Sequence, residues 1–273
     1  MTPEQFIKLG KDGYNHVPVV RTMFADLDTP LSCYVKVARG PYSYLLESAA
    51  QGGEKWSRYS LVGLPSDCVV KITGNEITIE KSGEVTEQFR VEDPLAFVEE
   101  FQTRFSYPEL QNLPIYTGGL VGYFGYDTIR YVEKKISQSA PPDTLGTPDI
   151  ILMVSNDVIV FDNVLGRIHL ITHADPAEDG SFQLAQTRLQ QMTQDLQTNV
   201  PKDLHDPVRG PRLHEADFVS NYGEEAYRAD VEKIKDYIVE GDVMQVVLAQ
   251  RMSVAFESDP LNLYRALRSL NPS

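Results

Sequence analysis

The stretch YSYLLES runs through apolar residues and ends on a carboxylate and a hydroxyl, Glu47 and Ser48. At a strand end such a pair can grip the ammonium and carboxylate of a small ligand through charge-assisted hydrogen bonds. A solvated strand end, with Ser48 capping the next turn, accounts for the same two residues. Arg58, in KWSRYSLVG, is a candidate positive counterpart, and equally a long side chain whose stem covers apolar surface. Gln245, in VMQVVLAQR, sets a neutral amide among apolar neighbours. If buried, it must find hydrogen-bond partners, as a structural bridge or as part of a site.

Compact catalytic signatures are missing: the sequence holds no nucleophile elbow, P-loop, zinc-helix motif or dinucleotide fingerprint. The glycines of TGGLVGYFGYD are followed by no helix start with a Lys-Ser/Thr pair, so they read as structural, marking bulges or close backbone approach. The five histidines are scattered. His169 and His173 share one face of an expected strand but sit about 13 Å apart, too far for a metal pair. Cys33 and Cys68 lie far apart with no CxxC and no His at ligand spacing, which argues against a zinc site or a disulfide framework, and both are expected to be buried thiols.

With 39 acidic against 25 basic residues the formal charge is −14, which repels phosphate backbones and anionic membranes. No stretch approaches the roughly 20 apolar residues of a membrane span, and the first residues lack a signal-peptide core, so the expectation is a cytoplasmic protein.

Several elements must position these residues. LSCYVKV, YSYLLES and RYSLVGL read as three short strands separated by turn formers, and CVVKITGNEITIE reads as a hairpin about Gly74-Asn75. Asp93-Pro94 caps a short helix with Leu95, Val98 and Phe101 on one face. The glycine-rich TGGLVGYFGYD promises neither a good helix nor a regular strand. PDIILMVSNDVIVFDNVLGRIHLITH reads as two buried strands joined by a turn near Asp162-Asn163. Ala185, Leu189, Met192 and Leu196 recur at helical spacing between Ser181 and Gln197. NVPKDLHDPVRGPRLHEAD reads as a linker. Beyond it, Tyr227, Val231, Ile234 and Ile238 form a helical stripe closed by Gly241, VMQVVLAQRMSVAF reads as an apolar strand, and Asp259-Pro260 opens a last helix. Strand connections too short for crossover helices imply mainly antiparallel, sandwich-like sheets flanked by helices, an α+β class.

In order and spacing, TPLSCYVKVARGPYSYLLESA, KWSRYSLVG, TGGLVGYFGYD, EGDVMQVVLAQR and the final RSLNPS resemble anthranilate synthase component I. The resemblance spans essentially the whole chain. It implies a regulatory region over residues 1–200, a linker over 201–215 and the start of a chorismate-binding domain over 216–273. It also implies conversion of chorismate and ammonia to anthranilate and pyruvate in tryptophan biosynthesis. Magnesium would be the cofactor, and a glutamine amidotransferase partner, component II, would supply the ammonia. In the family RSLNPS runs on into a Pro-Tyr-Met segment and most of the catalytic domain. This chain is therefore expected to be an N-terminal portion, inactive alone, with its magnesium ligands and acid/base residues beyond residue 273.

Residue by residue, the family's feedback site for L-tryptophan maps onto Glu47 and Ser48, with Arg58 nearby and Asn271 and Pro272 beginning another wall. Gln245 stands where water-adding relatives carry a lysine base, and a neutral amide cannot take a proton from water, so it marks the ammonia-using branch. Aminodeoxychorismate synthase shares that Gln and remains an alternative, as does a noncatalytic tryptophan-binding lobe.

Overall fold

The computed structural model describes residues 1–48, 58–111, 113–137, 139–140, 142–200 and 212–271. The described residues divide into two compact units, one within Met1–Pro201 and one within Lys202–Asn271.

The first unit carries two five-stranded sheets in which every pairing is antiparallel. One sheet contains β1 (Val17–Phe24), β2 (Tyr44–Leu46), β3 (Tyr59–Gly63), β9 (Asp157–Asp162) and β10 (Arg167–Ala174), in the spatial order β1-β10-β9-β3-β2. The other contains β4 (Cys68–Thr73), β5 (Glu76–Lys81), β6 (Glu84–Arg90), β7 (Gly119–Phe124) and β8 (Ile150–Ser155), ordered β6-β5-β4-β8-β7. With helices interspersed, the class is α+β with mainly antiparallel sheets, as expected. β4 and β5 form the hairpin about Gly74-Asn75, with Thr73 opposite Glu76 and Gly74 at φ +55°, a left-handed conformation that glycine adopts without strain.

The first sheet is buried on both faces. On one face Val17, Val19, Ile159, Phe161, Ile168 and Leu170 pack with α5 (Ser181–Leu196) through Ala185, Leu189, Met192 and Leu196, and with Phe6 of α1 (Pro3–Lys11). Burying Leu189 and Met192 there contributes about 2 kcal/mol each. On the other face Val158, Val160 and Ile171 pack under Tyr59, Leu61 and Tyr116. The second sheet is covered by α3 (Pro94–Thr103), whose Phe97 and Phe101 meet Val70, Ile72, Ile77, Ile79 and Ile150. Asp93 caps α3 by accepting hydrogen bonds from the Leu95 and Ala96 amides at 3.0 Å each. Asp93→Ala is expected to cost about 1 kcal/mol in denaturant unfolding, leaving two helix N–H groups without their acceptor.

Three local expectations are corrected. LSCYVKV is not a strand: Thr29 caps α2 (Pro30–Cys33) in a capping box with Ser32, and a π-helical turn continues over Tyr34–Ala38. The Thr-Pro-x-Ser start outweighs the apparent alternation that follows it. TGGLVGYFGYD does contain a regular strand, β7, in register with β8 from Gly119↔Ser155 to Phe124↔Ile150, and the short helix α4 (Ile129–Val132) follows it. A Cβ on Gly122 would lie 1.8 Å from the Ile151 carbonyl oxygen, so the glycine permits the close approach at which the strand pairs. The run from Ile150 to His173 makes three strands rather than two. It breaks at Asn156, where the chain crosses from β8 in one sheet to β9 in the other. Of the two cysteines, Cys33 is buried and Cys68 only half-buried.

In the second unit, α6 (Glu224–Glu240) ends on left-handed Gly241, and α7 (Pro260–Leu270) starts at Asp259, which accepts from the Leu261 amide at 2.8 Å. The expected strand VMQVVLAQRMSVAF is present only as β12 (Met252–Ser253), paired with β11 (Val219–Ser220). Residues 243–251 form no strand because, among the described residues of this unit, only β11 offers a ladder, and it is two residues long. The greater part of the expected linker lies outside the described residues.

Candidate functional site

Glu47 and Ser48 follow directly on β2, an edge strand of the first sheet, and together they line a cavity of about 440 Å³. Tyr59 and Leu61 of β3, Val160 of β9, Leu46, and the segment Pro114–Ile115–Tyr116 complete it. Period-2 alternation explains the wall: Tyr59 and Leu61 project from the face of β3 that carries Val160 on the paired strand, with Leu61 directly opposite Val160. The hollow is walled almost wholly by apolar and aromatic surface, with half-buried Glu47 and exposed Ser48 among its lining residues, and suits a small molecule with an apolar or aromatic body.

Behind the cavity lies a hydroxyl network. The Tyr44 hydroxyl sits 2.7 Å from Ser155 Oγ and 3.1 Å from the Tyr116 hydroxyl, so one side chain of β2 bridges the cavity wall and the last residue of β8. Burial, reinforced by the neighbouring Tyr116, pushes the Tyr44 phenol well above its ordinary range and holds it neutral. Burial does the same to Tyr116, and raises Tyr107 to about 12.

The next residue, Asn156, is a second node. Its side-chain oxygen lies 2.8 Å from His16 Nε2, and its carbonyl accepts from the His173 backbone N–H at 3.1 Å and from His173 Nδ1 at 3.0 Å. His16 and His173 stack with centroids 5.5 Å apart, and Tyr107 meets both rings edge-on. His173 Nε2 is buried without a hydrogen-bond partner among the described residues. Burial is the main cause that lowers the His173 pKa to about 4, and His16 adds to it. His169, by contrast, pairs Nδ1 with the Thr22 hydroxyl at 3.0 Å. No group of three or more His, Cys, Asp or Glu converges on a metal site among the described residues.

The other residues singled out from sequence fall elsewhere. Arg58 does not line the cavity; its guanidinium bonds the Asp162 carboxylate at 2.7 Å through Nη2 and 3.1 Å through Nε, and lies 4.8 Å from the Tyr59 ring centroid. Asp162, 2% exposed, also accepts from the Val164 and Leu165 amides and so fixes the turn after β9. Although burial opposes its ionisation, the Arg58 bridge and these amides hold the Asp162 carboxyl below its usual range. Gln245, in the second unit, is exposed and outside any strand, so it has no buried amide to satisfy. Asn271 caps α7, donating its N–H to the Leu267 carbonyl at 2.8 Å. Pro272 lies outside the described residues.

Sequence reasoning missed Tyr44, Tyr59 and Tyr116. One signal existed: Gly63 interrupts a strand, and a strand glycine often marks a position over which an aromatic ring lies. Tyr44 is its cross-strand partner and covers it. No helix among the described residues is long and apolar enough to cross a membrane.

Comparison with known proteins bears on this geometry. The chain is 49% identical over 273 residues to anthranilate synthase component 1 of Pseudomonas putida, covering all of this chain and 55% of that protein. It is 48% identical to the component 1 of Pseudomonas aeruginosa at the same coverage, and thus spans about half the length of these relatives. The solved structure of anthranilate synthase component I from Streptococcus pneumoniae TIGR4 superposes with a TM-score of 0.64 at 29% identity, over 92% of this chain and 53% of that one. The family model described as chorismate binding enzyme matches residues 42–273, from just before β2 and the Glu47–Ser48 cavity onward, and by that match the chain belongs to the chorismate-binding enzyme family.

Proposed function

We propose that this chain carries the tryptophan-sensing lobe of an anthranilate synthase large subunit. The whole protein, in this proposal, works in the cytoplasm with magnesium, takes ammonia from a glutaminase subunit and converts chorismate to anthranilate and pyruvate. End-product tryptophan then inhibits it. The observation that carries the sensing role is the meeting of Glu47 and Ser48 in one aromatic-lined cavity. Its volume falls in the range of small-ligand pockets. The Glu47 carboxylate accepts from the amino group, Ser48 serves the polar end, and Tyr59, Leu61, Ile115 and Tyr116 surround the indole. Arg58 acts at one remove, holding the turn after β9 through Asp162. Gln245 fits the ammonia-using branch by residue type. A ligand bound where strands of one sheet meet loops from the other can bias their relative placement, and its coupling to chorismate is then reciprocal.

Isothermal titration of the chain with L-tryptophan tests this. Binding near one-to-one is expected, with Glu47→Gln weakening it at least tenfold, because a hydrogen bond to a charged group is worth about 1.5–3 kcal/mol. A flat trace at millimolar tryptophan sinks the sensing role.

A further inference from the structure

The Tyr44 hydroxyl does not itself line the cavity, yet it joins Tyr116 of the cavity wall to Ser155, the last residue of β8, where the chain crosses between the two sheets. The ring of Tyr44 is fixed from below: it lies over Gly63 so closely that an added Cβ would sit 1.9 Å from its Cε1. Its oxygen is fixed at the far end by Ser155 Oγ. A rigid ring with a pinned hydroxyl is a post, and Tyr116 rests on it.

We propose that Tyr44 is the positioning residue of this cavity. By holding the Tyr116 hydroxyl it sets the aromatic wall at the depth that accepts an aromatic amino acid, and through Ser155 it ties occupancy of the cavity to the β8–Asn156–β9 crossing. The inference rests on the tryptophan-sensing role proposed above and extends it. Tyr116 is the specificity wall, and Tyr44 and Ser155 act on the ligand only through it. A carboxylate and a hydroxyl recognise the backbone groups of any amino acid, so selection among side chains falls to the walls, and of these, among the described residues, Tyr116 alone is held by a hydroxyl chain running back into the fold.

The test is a double-mutant cycle on ligand affinity, titrating the full chain with L-tryptophan, L-phenylalanine and L-alanine. Tyr44→Phe keeps the ring over Gly63 and removes only the hydroxyl. It is expected to weaken tryptophan binding about threefold to tenfold, the range of one neutral hydrogen bond, and to narrow the preference for tryptophan over alanine. In a Tyr116→Phe background the same change should cost nothing further, because the contact through which it acts is already gone. Ser155→Ala, further from the ligand, should reproduce part of the loss. A merely structural role for Tyr44 would lower the melting temperature while leaving affinity and the preference for tryptophan unchanged. That outcome overturns the inference, as does full additivity of the two phenylalanine substitutions. Absence of heat from the unsubstituted chain overturns the sensing role, and this inference falls with it; binding by the unsubstituted chain together with an unaltered Tyr44→Phe overturns the inference alone.

Discussion

Gly63→Ala is expected to lower stability by about 3–5 kcal/mol and to abolish ligand binding at the Glu47–Ser48 cavity. Gly63 of β3 stands directly opposite Tyr44 of β2. A Cβ there would meet Tyr44 Cε1 at 1.9 Å, Cζ at 2.3 Å and Cδ1 at 2.4 Å, so the ring must leave its place. Overpacking accounts for about 1–3 kcal/mol. The two hydroxyl contacts, to Ser155 and Tyr116, are lost with it at about 1 kcal/mol each. Denaturant unfolding measures the first effect and tryptophan titration the second. Retention of both wild-type stability and wild-type affinity would show that Tyr44 is not the post described above.

Acidification is expected to destabilise the first unit between pH 6.5 and about pH 4, through His173. Its pKa is lowered to about 4 in the folded chain, mainly by burial, and next to it stand His16, Tyr107 and Asp157. Above pH 6.5 the imidazole is neutral folded and unfolded, and contributes no pH dependence. As pH falls below 6.5 the unfolded chain takes up a proton that the folded one refuses, and stability declines until the folded pKa is reached. At about 1.4 kcal/mol per pKa unit the loss approaches 3 kcal/mol. Protonation of His173 also places a buried charge against the stacked His16 ring at the Asn156 node, where β8 gives way to β9. His173→Phe, which keeps an aromatic ring beside His16, should flatten urea-derived stability over this window. A slope unchanged by the substitution would assign the acid sensitivity to other groups.

Much of this fold was written in local patterns. α5 was legible because four apolar residues at helical spacing face the first sheet, and all four are buried. The β4–β5 hairpin and α3 were legible from a two-residue turn and an Asp-Pro cap. What escaped was set by partners distant in sequence. β7 pairs despite its glycines because β8 approaches where a side chain would collide. The run from Ile150 to His173 reads as two strands with a turn near Asp162-Asn163, yet Asn156 breaks the first of them to serve two sheets. VMQVVLAQR reads as a strand on hydropathy, but hydropathy supplies no ladder partner.

The site divides along the same line. Glu47 and Ser48 were found because a carboxylate and a hydroxyl stand out at the end of an apolar run, and both line the cavity. Tyr116 lies far along the chain from them and enters only through tertiary placement, whereas Arg58, close in sequence, is directed by the buried Asp162 to the turn after β9. Polar side chains go to the nearest buried countercharge, and sequence alone does not say where that lies.

The most direct measurement is a crystal structure of the chain grown with saturating L-tryptophan. The indole should lie against Tyr59 and Tyr116 with its amino nitrogen within hydrogen-bond distance of the Glu47 carboxylate. Indole density at any other place, or a Glu47–Ser48 cavity that stays empty at saturation, would contradict the account.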